Sequence, residues 1–374
     1  MRLRALGCVA LLAGACTSST PAPAGVLLGL TSGRTLWIAW PNDTARVVTE
    51  TPHLVIPRDD GMWWAGVARR CTLGEGGGGW VEDTVFVFLE EAIFVAPPGE
   101  DAHVTLSGMP CDQAELGVLA ARAKAPSTPS ETETADESPP SREELYCSKH
   151  TRRITYASPT TLSLEIRHIG TEFCSPGSYA TSGANRVRRL DSSERIMLRP
   201  LLDSAALAPL LARFNDSVGC GYVAEDPAAE VDSAWAIGRH EGRWVAQLWV
   251  EGPNVCRGGQ DTEGGPPLPA SFTGDSTPPI AWTDVVRQLP NVFDAAVSPS
   301  GTHILARRSD SLMILPLKDG NIGAPLLTMH IGYDGELSMI RWATEQEAAR
   351  WTRTLPTLQP PTVHIMPDTL APPR

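Results

Sequence analysis

Basic residues are scarce in this chain: 31 lysines and arginines stand against 43 aspartates and glutamates, a formal charge of −12. Proteins gain affinity for phosphate backbones by placing cations on them, so this balance argues against nucleic acid or anionic lipid as a partner. Beyond residue 15 no apolar run approaches the roughly 20 residues that a spanning helix needs. The eight histidines include no His-Glu-x-x-His pair, and the cysteines form no Cys-x-x-Cys, so zinc has no ligand set at usable spacing and no metal is expected. Gly-x-Ser-x-Gly and Ser-x-x-Lys are missing too, which removes the local signatures of acyl transfer. His168 and Cys174 read better as a core histidine and a disulfide half than as a catalytic pair. Glu90-Glu91 and Glu143-Glu144 are adjacent in sequence, unlike carboxylates aimed across a cleft. No catalytic residue is assigned.

What is present begins with an export signal. Arg2 and Arg4 precede a short apolar run at residues 5–13, and Ala13-Gly14-Ala15 supplies small residues before Cys16. Two processing routes fit, cleavage at the Ala-x-Ala pattern or cleavage before Cys16 with acylation of its thiol. The region resembles the lipobox of bacterial lipoproteins, with Leu12 four residues before the cysteine where the family has leucine at three. Loss of residues 1–15 takes the charge to −14 and leaves seven cysteines: Cys16, Cys71, Cys111, Cys147, Cys174, Cys220 and Cys256. An odd thiol is a liability in an oxidising compartment. Lipidation of Cys16 leaves six, enough for three disulfides. The expectation is an exported, lipid-anchored protein of the bacterial cell envelope that meets the membrane through its anchor alone.

The organisation expected is a signal at 1–15, a tether at 16–25, a β-rich domain at 26–123 and an acidic linker at 124–144. An α+β domain at 145–290, a β-rich segment at 291–355 and a Pro-rich tail at 356–374 follow. Residues 125–141 contain only Ala, Pro, Ser, Thr, Asp and Glu, which offer nothing to bury against the entropy of ordering. Short β-branched or aromatic runs at 35–40, 54–56, 62–67 and 84–89 predict strands, with Asp59-Asp60-Gly61 as a hairpin turn. Residues 112–123 read as a helix. Leu162, Leu164, Ile166 and His168 alternate with polar residues as in a half-buried strand. Leu207, Leu210, Leu211 and Phe214 have helical spacing, with Asp203 or Ser204 as cap and Pro209 a disturbance. Residues 235–237 and 244–250, joined across His240-Glu241-Gly242, form the clearest hairpin. The fold class expected is mainly β with a few short helices and antiparallel sheets.

From Asn291 the pattern DAAVSPSGTHILARRSDSLMILPLKDG alternates strands with polar turns. It resembles one blade of a TolB-type or WD-repeat-like β-propeller, which implies a small antiparallel meander at about 291–320. The middle region, with IMLRPLL before a helix, faintly resembles the extracytoplasmic domain of lysozyme-sensing anti-sigma factors. The Gly-rich loop of that family is replaced here by FCSPGSYATSG.

Residues 74–79 match the letters of a dinucleotide fingerprint, but the segment after them reads as strand where pyrophosphate binding needs a helix N-terminus. No nucleotide and no cofactor are expected. The acidic loop 260–264 lacks the ligand count of a calcium loop. Tryptophan is abundant, 11 against 7 Phe and 5 Tyr. Trp63 and Trp64 are neighbours and Trp249 opposes the face of Trp244, so strand alternation turns one indole of each set outward, where a sugar ring or a partner's apolar patch can stack. The alternative is that both faces are covered. The function expected is a non-catalytic binding or sensing module with a protein or glycan partner. An exported hydrolase acting on envelope polymers is the alternative.

Six cysteines allow fifteen pairings. Cys71 and Cys111 are the only two before the linker and should pair. Cys147 and Cys174 flank an expected hairpin, and Cys220 and Cys256 flank another. Peptide mapping without reduction should return these three pairs. A peptide joining Cys71 or Cys111 to a cysteine beyond residue 144 contradicts the scheme, and exchange among the last four contradicts the hairpin argument alone.

Overall fold

The computed structural model describes residues 22–40, 44–75, 85–106, 109–111, 145–172, 179–217, 231–232, 235–250, 259–260, 264–274, 278–332 and 335–366. The fold is mainly β, with short helices. Its first sheet has the order β19-β1-β2-β3, from β1 (Gly25–Leu30), β2 (Thr35–Ala39), β3 (Arg46–Thr51) and β19 (Leu337–Ala343). Strand β1, GVLLGL, is buried at every residue. Leu27 faces one core, while Val26, Leu28 and Leu30 face another. A continuous apolar run is what a strand covered on both faces requires.

The second sheet has six strands in the order β10-β9-β8-β6-β5-β4. They are β4 (Leu54–Arg58), β5 (Gly61–Glu75), β6 (Val85–Ala96), β8 (Leu145–Ala157), β9 (Thr161–Glu172) and β10 (Tyr179–Arg189). The turn at Asp59-Asp60 joins β4 to β5 as expected, with Arg58 opposite Gly61. Strand β6 pairs in parallel with β8, Val85 opposite Leu145 through Glu90 opposite His150. Where that ladder stops, Glu91 takes over, accepting the Arg152 backbone N–H at 2.6 Å while its other oxygen meets Arg69 Nε at 2.6 Å.

This sheet departs from the organisation read in the sequence. The segments on either side of 124–144, expected as separate domains, contribute three strands each to one hydrogen-bonded sheet. Strand β9 departs as well, because both its faces are covered: Ser163 and Glu165 are as buried as Leu162 and Leu164. Ser163 Oγ bonds Thr155 Oγ1 and the Ile237 N–H at 2.8 Å each, and the Glu165 carboxylate lies 3.8 Å from the Arg153 guanidinium.

The third sheet is the hairpin β11 (Trp235–His240) and β12 (Arg243–Val250) with β13 (Gly259–Gln260), and the one-turn helix α2 (Ala270–Thr273) follows it. Ahead of it, α1 (Ser204–Ser217) is capped by Asp203, whose Oδ1 accepts the Ala206 N–H at 2.8 Å, and it holds Pro209 inside. The fourth sheet is the expected meander, β14 (Asp294–Val297), β15 (His303–Arg307), β16 (Ser311–Lys318) and β17 (Asn321–Ile322), with β18 (Leu327–His330) also on β16. Its turns carry the positive φ angles that the Ser-Pro-Ser-Gly and Asp-Gly sequences supply, at Gly301, Asp319 and Gly320.

These four sheets contact each other in a cycle. The first and second share Leu27, Trp37, Val55, Trp64, Ile154 and Leu164. The second and third share Tyr156, Val187, Trp235 and Trp244. The third and fourth meet through Arg239 and Asp294, and the fourth returns to the first through Leu305, Leu312, Val26 and Leu28.

Helix α4 (Glu345–Thr354) starts with a capping box of Thr344 and Glu347 and sends Trp351 edge-on to Trp37, ring centroids 5.3 Å apart. Of the loose tail expected at 356–374, residues 356–366 are ordered into structure, and residues 367–374 lie outside the described residues. Residues 355–357 form a 3₁₀ turn, and β20 (Val363–Met366) adds in parallel to β7 (Ala102–Thr105), with Val363 and Ile365 packed on the first core. No proline falls within the strand, Pro361 lying before it and Pro367 after it, so its ladder donors are intact. The bond from His364, at 3.0 Å, holds the Asp101 carboxyl below its usual range. At the other end, Pro23 and Ala24, expected in the tether, are fixed: the Pro23 carbonyl accepts from Trp40 Nε1 and the Ala24 N–H donates to Ala343. The helix expected at 112–123 and the linker at 124–144 lie outside the described residues.

Candidate functional site

Among the described residues, the sequence-derived candidates Trp63, Trp64, Cys71 and Cys111 do not converge on one site. Cys71 and Cys111 form the expected disulfide, with Cα atoms 4.8 Å apart. It closes a loop of 40 residues, for which the chain-entropy relation gives about 4 kcal/mol. Cys16, Cys174, Cys220 and Cys256 lie outside the described residues, as does the side chain of Cys147, whose backbone on β8 pairs with Thr171. Trp63 and Trp64 point to opposite faces as alternation requires. Trp64 is 3% exposed in the first core, so it is no stacking platform and the expectation for it is corrected. Trp63 is half-buried: its Nε1 donates to Asp60 at 3.0 Å and Arg58 covers its ring at 4.4 Å. Trp249 belongs to β12, but its side chain lies outside the described residues, as does that of His168.

A cleft of about 320 Å³ opens elsewhere, where the β11–β12 hairpin meets β14 and the helix α3 (Trp282–Gln288). The hairpin turn builds one wall. Glu241 and Gly242 have φ of 48° and 78°, the two left-handed residues of a type I′ turn. Gly242 is needed twice, because a Cβ there would also lie 3.0 Å from the Ala295 carbonyl oxygen. The returning segment 264–268 bonds to β12 through Ala246 and Leu268 and forms the second wall, with the His240 ring lying so close over Gly264 that a Cβ would collide with it. Helix α3 and its lead-in supply Ile280, Trp282 and Val285, and β14 supplies Ala295 and Val297.

The floor is therefore apolar, and His240, Glu241, Arg243 and Trp282 form the rim. His240 Nε2 lies 3.9 Å from Glu241 Oε1, with the two side chains 37% and 57% exposed, so water screens the pair. No Ser, Thr, Cys or Lys lines the cleft among the described residues. Buried Val245, Val285 and Ala295 thus lie at the base, with polar groups above them.

Beneath the cleft is a buried ion pair. Arg239 Nε lies 2.6 Å from Asp294 Oδ2, with the side chains 4% and 5% exposed. Arg239 Nη2 donates to the Ala295 carbonyl at 2.8 Å, and the guanidinium sits 4.6 Å from the Trp244 ring centroid. The pair fixes β11 against β14 and so sets the distance between the hairpin wall and the α3 wall. Sequence reasoning placed the hairpin and named His240 but missed Trp282, Arg243 and the Arg239–Asp294 pair. The only local signal was the turn sequence, since the ion pair spans 55 residues.

No protein-family model matches the chain, and no curated protein matches it in sequence. Among the described residues, no three His, Cys, Asp or Glu side chains are grouped to hold a metal ion, and no helix is long and apolar enough to cross a membrane.

Arg239→Ala should cost about 3–5 kcal/mol in urea denaturation, because it strands the buried Asp294 carboxylate. The double change Arg239→Met with Asp294→Leu should cost much less. A single-variant loss below about 1 kcal/mol, the range of an exposed pair, contradicts this role.

Proposed function

We propose that the protein is an exported lipoprotein of the bacterial cell envelope, anchored through acylated Cys16, that acts as a non-catalytic binding or sensing module for a protein or glycan partner. The observation that carries the binding part is the cleft, with buried apolar side chains at its base, its Trp282, His240 and Arg243 rim and no Ser, Thr, Cys or Lys among the described lining residues. Export draws support from the Cys71–Cys111 disulfide, which persists in oxidising compartments. The odd cysteine count and the small residues before Cys16 support acylation. A second reading, an exported hydrolase, has one observation in its favour: an imidazole and a carboxylate, His240 and Glu241, share the cleft rim. Their exposure favours the first reading, because acid–base pairs work best in water-excluded sites.

Metabolic labelling with a fatty-acid probe should mark the wild type and not Cys16→Ala. In the same cells, a photo-crosslinking residue at position 243 should form a discrete adduct that one at the exposed position 318 does not. Equal labelling of both chains removes the anchor, and identical crosslinking at 243 and 318 removes the cleft as the binding site.

A further inference from the structure

Four arginines gather on one face of the six-stranded sheet. Arg186 and Arg188 alternate on β10 with Asn185 and Val187, which turn to the opposite, buried side. Arg186 pairs across the ladder with Leu164, and Leu164 with Ile154, two residues beyond Arg152 on β8. Directly paired residues share a face, so Arg152, Arg186 and Arg188 share this one. Arg195 joins them through a backbone bridge to Arg188.

No described residue neutralises the cluster. Among the described residues, no carboxylate forms an ion pair with any of the four. The nearby acids are committed elsewhere: Glu91 to Arg69, Glu165 to Arg153, Asp191 to Arg58 and Arg189, and Glu194 to Arg189. Arg152 Nε and Arg188 Nε are buried without a hydrogen-bond partner, and Arg188 Nη1 reaches only the Ser192 carbonyl, at 3.4 Å. Burial, reinforced by the charge of Arg152, pulls the Arg188 guanidinium below its usual value. Arg186 is lowered by burial and then by Arg195 and Arg152. Guanidinium groups keep their proton near neutral pH, so the repulsion persists until an anion enters.

We propose that Arg152, Arg186, Arg188 and Arg195 form a binding site for a tetrahedral oxyanion, a phosphate or sulfate group on a small ligand. Guanidinium forks match such groups with paired N–H donors, and Arg186 and Arg195 present theirs on the exposed side of the cluster. The acidic balance of the whole chain, 43 against 31, opposes an extended polyanion and leaves room for a single anionic group. The site is separate from the cleft and does not depend on what the cleft binds.

The test uses the full chain carrying Cys16→Ala, which removes any acyl group, with Tm measured in phosphate, sulfate and chloride at equal ionic strength. Phosphate should raise Tm over chloride by about 2 °C at tenfold its half-saturating concentration. Arg186→Gln and Arg188→Gln should abolish the rise. Arg186→Gln should match or exceed the parent in chloride, because it relieves repulsion, whereas Arg287→Gln, a distant exposed control, should keep the full effect. Sedimentation with phosphatidylglycerol vesicles but not phosphatidylcholine vesicles, lost in both cluster variants and without a phosphate shift, assigns the anion to a lipid headgroup. The proposal is overturned by equal Tm in phosphate and chloride with no vesicle binding. It is equally overturned by binding that Arg186→Gln and Arg188→Gln retain.

Discussion

Strand β1 is buried on both faces, so each of its edges must find backbone partners within the protein. An unpaired N–H or C=O in such a place costs as much as a lost hydrogen bond. One edge is met by β2, its neighbour in sequence. The other is met by β19, from Gly25 opposite Ala343 to Leu30 opposite Leu337, which arrives only after the other three sheets have been built. Strands from the beginning and from late in the chain, β1 and β19, thus share one ladder. The cycle of contacts through the four sheets follows, since the fourth sheet must come back to the first for β19 to reach β1.

The closure decides what the polar interior can do. Where sheets meet through apolar side chains, as in the cluster around Trp37, Trp64 and Trp351, the junction is held by packing. Where the third sheet meets the fourth, the junction is ionic, Arg239 with Asp294, and the cleft lies over it. A buried pair of this kind adds little net stability but permits few alternative positions, because a shift leaves both charges without partners. On the second sheet the arginine cluster has no such counter-charge among the described residues, which is why it stands out in a chain of negative charge.

Features encoded locally were legible in the sequence. The hairpin across His240-Glu241-Gly242, the turn at Asp59-Asp60 and the meander through Ser298 to Gly301 and Asp319-Gly320 each depend on residues within one turn of one another. The disulfide between Cys71 and Cys111 was legible by their position before the linker. What escaped was set by distant partners. The run GVLLGL carries the signature of a doubly covered strand, yet nothing nearby says that β19 will pair with it. The alternation in β9 was read as a half-buried strand because Ser163 and Glu165 look like solvent-facing residues. Thr155 and Ile237, which bond Ser163, and Arg153, whose charge faces Glu165 at 3.8 Å, come from other strands. The cleft was hidden for the same reason, since its floor draws on β12, α3 and β14.

The segments before and after residues 124–144 form one hydrogen-bonded body, through β6 with β8 and β1 with β19. A site-specific protease sequence placed within 124–144 tests it directly, with the cut chain run on native gel filtration and on a denaturing, non-reducing gel. The account predicts two bands on the gel and a single native peak at the elution volume of the uncut protein. Two separate native peaks, each a folded fragment, would contradict it.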